Sequence, residues 1–182
     1  KPTRDHTELM LRHFGAVVDV DDLAGGSRAV CVHGQPELTA QKVIVPGDIS
    51  SAAFPVAAAL LLEGSKISIT GVGVNVLRFG LIESFLEMGA AIKLENKRNE
   101  AGEAVADLIV ESSDLHGISV PASRAPSMID EYPILAVAAA CASGTTRLEG
   151  LSELRVKESD RLGGMARGLE ACGVKVEQGE DF

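Results

Sequence analysis

The sequence predicts an α/β (α+β) fold of repeated units whose helices are buried among strands. Three observations predict it. First, residues 47–95 and 129–177 read as two copies of one pattern: an Ala-rich apolar helix, a short strand, an Arg-bearing loop, an amphipathic helix and another strand. Second, glycines punctuate both copies at matching places, Gly64, Gly71 and Gly89 in one and Gly144, Gly150 and Gly173 in the other. Third, Ala52–Leu62 and Glu131–Ala142 are apolar nearly all round, as a helix covered on every side must be. A repeat is sought before any fold because missing it misreads the whole architecture.

The elements follow in order. Residues 4–20 give the tail of a third copy, a helix from RDHTELMLRH and a strand after Gly15. The distances Arg4–Gly15, Arg78–Gly89 and Arg161–Gly173 are eleven or twelve residues, as a repeated fold unit requires. The closing glycines sit where a helix ends in a left-handed residue. The Pro46-Gly47-Asp48 segment marks a domain boundary: residues 1–45 would be the tail of one domain, and 46–182 two repeats of a second, incomplete one. Ala57–Ala59 and Ala138–Ala140 would let the apolar helices approach closely. Ile67–Ile69 and Ala91–Leu94 read as short strands, and Glu95–Ala104 as a solvated turn. In the last helix Leu162, Met165, Leu169 and Cys172 fall at helical spacing on one face. The chain begins at Lys1 within a helix and without Met, and ends at Phe182 without a closing element; it reads as an excised piece of a longer protein.

Composition excludes several function classes. Seventeen Lys and Arg stand against 26 Asp and Glu, a formal net charge of −9. Nucleic acid is not expected as a partner, because phosphate binding needs clustered cations and stacking needs aromatics, of which there are five Phe and one Tyr. The longest apolar runs, Phe54–Leu62 and Ile134–Ala142, have nine residues each; a membrane span needs roughly 20. No signal peptide opens the chain. Cys31, Cys141 and Cys172 read as reduced, buried thiols of a cytoplasmic protein. His6, His13, His33 and His116 lack metal-ligand spacing, so no metal is expected. Gly71-Val72-Gly73 opens like a dinucleotide fingerprint, but Val76 stands where the third Gly belongs.

Chemistry concentrates in two places. The run Arg155-Val156-Lys157-Glu158-Ser159-Asp160-Arg161 lies between a strand and a helix. Arg161 falls in the first helical turn, where backbone N–H groups and the dipole also favour an anion. Lys157 and Arg161 could hold a phosphate or carboxylate while Glu158 exchanges a proton; a solvated helix start with local salt bridges gives the same pattern. The second place is Ser127-Met128-Ile129-Asp130-Glu131-Tyr132-Pro133, where Asp130 is either a general base or the N-cap of the apolar helix. Asp48, with Ser50 and Ser51, occupies the matching place in the first copy and reads as a cap.

RVKESDR, preceded by PSMIDEYPILAVAAA and VPGDISSAAFPVAAALL, resembles the 5-enolpyruvylshikimate-3-phosphate synthase family, closest to its bacterial branch with RDHTE and DEYP segments. The resemblance covers essentially the whole chain. It implies two domains, each an inside-out α/β barrel of three βαβαββ units. It also implies transfer of the enolpyruvyl group of phosphoenolpyruvate to the 5-hydroxyl of shikimate 3-phosphate, with release of phosphate, on the way to aromatic amino acids. Asp130 would accept a proton near the sugar hydroxyl, Glu158 would donate one, Lys157 would touch both substrates, and Arg161 would hold phosphoenolpyruvate. No metal or organic cofactor is implied. Glu153 stands where the family often has an Asn ligand of the sugar phosphate, and that role is not carried over. The resemblance implies that the remainder of the two-domain enzyme completes the site, so the 182-residue piece alone should be inactive. Two other readings stay open: the UDP-N-acetylglucosamine enolpyruvyl transferase, of the same fold and chemistry, and a repeat-built binding module without activity.

Overall fold

The computed structural model describes residues 3–182, so the expected helical start at Lys1 lies outside the described residues. The first copy runs as α2 (Ile49–Leu61), β3 (Lys66–Gly73), α3 (Gly80–Glu87), β4 (Ala91–Glu100) and β5 (Glu103–Glu111). It is preceded by α1 (His6–His13), β1 (Val18–Leu23) and β2 (Ser27–Val32). After it come β6 (Ser119–Val120), α4 (Tyr132–Cys141), β7 (Arg147–Leu148) and α5 (Arg161–Ala171).

The repeat is visible in the pairing. Gly47 bridges Val72 of β3 in parallel across α2, and β6 pairs in parallel with β7 across α4. Residues 47–111 therefore complete one βαβαββ unit, and the second copy repeats its βαβα part. The α1–β1–β2 segment repeats the α3–β4–β5 part, each a helix followed by an antiparallel hairpin. Gly15, Gly89 and Gly173 end the three helices at φ of 96°, 93° and 84°, a conformation that only glycine adopts cheaply.

The core lies between the β3-β5-β4 sheet and the helices. Leu108 and Val110 of β5 are buried in one core cluster with Val56, Ala57 and Leu60 of α2 and with Leu135 and Ala138 of α4. Each buried Val or Leu contributes roughly 1.5–3 kcal/mol relative to exposure. The Ala triplets serve as expected in α2, where Ala57 and Ala59 are buried.

Several expectations need correction. The apolar helices are not covered all round: Phe54 is 64% and Leu62 62% exposed on α2's outer side, and Val137 is exposed on α4. Glu95–Ala104 is no loose turn. It is the arm of the β4–β5 hairpin, with a bulge between Glu95 and Arg98 and a tight Ala101–Gly102 turn, both residues at positive φ. That is the geometry matching the right-handed twist of paired strands. Strand alternation fails there because residues 95–100 are polar throughout, and the side near the turn meets α1 through Gly102 against Leu9 and Glu103 bonded to His6. Residues 174–177 form no strand, since the second copy has no counterpart of β5 within the 182 residues to pair with. On α5 the buried residues are Leu162, Gly163 and Ala166; Met165 and Leu169 are half-buried and Cys172 exposed. All three cysteines are free and exposed rather than buried. Cys141 is the last residue of α4 and Cys172 the C-cap of α5.

Candidate active site

The arginines at matching repeat positions, Arg4, Arg78 and Arg161, converge on the start of α4. Arg161 opens α5, held by the Asp160 N-cap, whose carboxylate accepts from the Gly163 N–H at 2.9 Å. Its Nη1 donates to Asp130 Oδ1 at 3.2 Å, and its Nε to Glu158 Oε2 at 3.1 Å. Arg4, just before α1, places Nη2 3.9 Å from Asp130 Oδ2. Arg78, in a 3₁₀ turn between β3 and α3, reaches the neighbouring Glu131 at 3.0 Å.

Asp130 is therefore not a helix cap. The N-cap of α4 is Glu131, which makes no side-chain cap bond, and Asp130 stands one residue outside, exposed and bonded to Arg161. Asp48 does cap α2, accepting from the N–H groups of Ser50 at 3.2 Å and Ser51 at 2.9 Å. Burial pushes its carboxyl up, but the Ser51 hydroxyl and these two N–H groups outweigh it and hold it below the ordinary value.

The structure brings Asp130, Glu158 and Arg161 into one cluster. Lys157 stands beside them, its Nζ 2.7 Å from Glu153, and it is held above the ordinary lysine value by Glu153 first and by Asp130 among lesser causes. Glu153 thus occupies Lys157, an electrostatic role that the sequence did not reveal. Glu158 is held below the ordinary glutamate value by its own backbone N–H and by the Arg161 guanidinium. A carboxyl tied this way is ionised. To donate a proton it needs Arg161 drawn elsewhere, and an incoming anion is what would draw it.

Sequence reasoning missed Arg4, Ser50 and Glu131 as members of this cluster. The only signal for Arg4 was its repeat position; Glu131 had none, because its partners lie 53 and 81 residues away. A cavity of about 680 Å³ lies apart from this charged cluster. It runs between α4, α5 and the C-terminal segment, with Ala136, Leu148, Leu162 and Leu169 in its wall. Such a seam suits packing rather than two polyanionic substrates. Among the described residues no group of three or more His, Cys, Asp or Glu is placed to hold a metal ion, and no helix is long and apolar enough to cross a membrane.

The sequence pattern of the family described as EPSP synthase (3-phosphoshikimate 1-carboxyvinyltransferase) matches residues 1–182. A 3-phosphoshikimate 1-carboxyvinyltransferase of Paramagnetospirillum magneticum is 67% identical over 179 residues, 98% of this chain and 40% of that protein. One from Granulibacter bethesdensis is 59% identical over 182 residues, again 40% of its length. The chain thus spans about 40% of the curated relatives it matches. A solved EPSP synthase from Acinetobacter baumannii superposes over the whole chain with a TM-score of 0.91 at 45% identity, covering 40% of that structure. Likeness at that level carries the fold, an α/β barrel built from repeated units, as the motifs implied.

Proposed function

Since the chain belongs to the EPSP synthase (3-phosphoshikimate 1-carboxyvinyltransferase) family, we propose that the full-length protein moves the enolpyruvyl group of phosphoenolpyruvate onto the 5-hydroxyl of shikimate 3-phosphate, releasing phosphate. The observation that carries this reading is the cluster at the start of α4, where Arg161 links Asp130 to Glu158 with Lys157 and Arg4 alongside. The curated relatives bear the shikimate name, which favours this enzyme over the UDP-N-acetylglucosamine transferase.

The residue types suit the chemistry. Addition of the hydroxyl to phosphoenolpyruvate needs a proton lost from the hydroxyl and a proton gained at C3; cleavage of the C–O bond to phosphate with loss of a C3 proton then restores the enol ether and releases phosphate. Asp130 is the acceptor and Glu158 the donor; two carboxyls divide the work when their surroundings separate their protonation. Arg161 holds both carboxylates in the unliganded chain. Phosphoenolpyruvate, with its carboxylate and phosphate, competes for that guanidinium, frees Asp130 to act as base, and lets Glu158 take up a proton. In this reading Lys157 contacts both substrates. A protein of net charge −9 gathers its cations locally for two anionic ligands. We propose residues 1–45 as the tail of one domain and 46–182 as two repeats of the other, with the remaining ligands supplied by the rest of the full-length enzyme across a closing cleft. The reading places the enzyme in the cytoplasm and needs no metal or organic cofactor.

The test is phosphate release by the full-length protein given both substrates. Release that requires phosphoenolpyruvate and shikimate 3-phosphate together is expected; release with UDP-N-acetylglucosamine in place of shikimate 3-phosphate, or none at all, would overturn the assignment.

A further inference from the structure

We infer that the buried Glu131–Arg78 pair, tied by Ser50, is a positioning device that fixes Asp130 for proton transfer. The inference rests on the reading of Asp130 given above. Glu131 is 3% exposed, while the adjacent Asp130 is open to solvent. Glu131 Oε1 accepts from the Ser50 hydroxyl and from Arg78 Nη2, and Arg78 Nη2 also donates to Ser50 Oγ. Ser50 sits in the first turn of α2, Arg78 in the turn before α3, and Glu131 at the N-cap of α4. Three elements from two repeats are thereby locked together directly beneath one exposed carboxylate.

Stability alone is a poor reason for this arrangement. Among the described residues the buried Glu131 Oε2 accepts no hydrogen bond and the buried Arg78 Nε donates none. A buried pair with unsatisfied atoms is commonly no better for stability than apolar residues of like volume. The cap position could also have carried Asp or Ser, as Asp48 does in the first copy, and bonded its own helix. Glu131 forgoes that bond and spends its carboxylate on Arg78. The consequence is geometric: with the side chain of residue 131 anchored inward, the backbone cannot turn Asp130 away from Arg161, and its carboxylate is held toward the substrate side. Small misplacements of a reacting group cost up to about a hundredfold in rate.

The experiment compares variants of the full-length protein, reading kcat, both KM values and Tm. Glu131→Gln keeps the shape and removes the charge that anchors Arg78. It is expected to lower kcat about ten- to a hundredfold with both KM values nearly unchanged. Leu108→Ala, in the core of β5 away from the site, is the stability control: it should lower Tm at least as much and leave kcat nearly intact. Ser50→Ala, a milder cut in the same network, should lower kcat in the same direction by a smaller factor, and carries the test if Glu131→Gln does not fold. Loss of kcat no greater than in the control, or a change confined to KM, would overturn the inference. Asp130→Asn separates the two levels. If it lowers kcat while Glu131→Gln and Ser50→Ala do not, only the positioning role fails; if it leaves kcat intact, the reading of Asp130 fails with it.

Discussion

The two copies of the repeat place the same kinds of residue at the start of the same helices and use them differently. In the first copy Asp48 is the N-cap of α2, and Arg78 is drawn inward to Glu131. In the second the N-cap is Glu131, Asp130 is displaced one residue outward, and Arg161 stays near the surface between two carboxylates. Burial is what separates a structural charge from a binding one. The Arg78 and Glu131 side chains are 16% and 3% exposed, those of Arg161 and Asp130 30% and 41%. A single scaffold position thus yields an internal strut in one unit and, on the proposed reading, an anion ligand in the next.

The comparison breaks most visibly at the carboxylates. Asp130→Asn and Glu158→Gln in the full-length enzyme should each lower turnover by roughly 10²–10⁴, the usual range for a positioned acid or base. Asp48→Asn, at the corresponding helix start, should leave turnover nearly unchanged because Asn also caps. Tm should move little in all three, since none of these side chains is buried in the core. Turnover lost equally with Asp48→Asn would erase the distinction between the copies.

The arginines sharpen it. Arg78→Ala leaves Glu131 buried without its partner, a loss of about 3–5 kcal/mol in stability, read as a fall in Tm and in denaturation midpoint. Arg161→Ala should spare Tm and weaken phosphoenolpyruvate by roughly ten- to a hundredfold, the equivalent of a charge-assisted contact of about 1.5–3 kcal/mol. Shikimate 3-phosphate should be far less affected. If Arg161→Ala weakens both substrates equally, Arg161 organises the loop rather than holding one ligand.

Much of this was legible in the residues. The period, the helix-ending glycines and the charged septet identify the repeat, the helices and the loop that carries Lys157, Glu158 and Arg161. Local chemistry also identifies Asp48, whose partners Ser50 and Ser51 are adjacent in sequence. What was not legible depends on distance. Asp130 looks like Asp48 in sequence, and only the packing of Arg161 and Arg4 against it, 31 and 126 residues away, shows that it caps nothing. Glu131 reads as one more acid at a helix start; its burial is decided by Arg78 and Ser50 of the other repeat. The arm of the β4–β5 hairpin was hidden because the stretch 95–100 is polar at every position and carries no alternation. Cysteines in apolar helices promise burial, but Cys141 and Cys172 fall at the exposed ends of α4 and α5.

The smallest expected effect concerns the caps themselves. Asp48→Ala removes the acceptor for two N–H groups at the start of α2 and should cost about 1 kcal/mol at neutral pH. Asp130→Ala should cost less, because Asp130 accepts no such bond. The pH dependence distinguishes them further. Asp48 is held below the ordinary aspartate value of 3.8 in the folded protein, so folding favours its ionised form. Its contribution is therefore present above that value and is lost as pH falls below it, through the depressed folded value. Between neutral pH and the acid limit, stability of the full-length protein should fall less steeply in Asp48→Ala than in the wild type, the two curves converging at the acid end. Asp48→Asn should run parallel to Asp48→Ala and above it at every pH, since its amide oxygen caps without titrating. If the curves of Asp48→Ala and the wild type run parallel down to the acid end, the Asp48 carboxylate is not what holds the start of α2, and its likeness to Asp130 would be closer than the hydrogen bonds indicate.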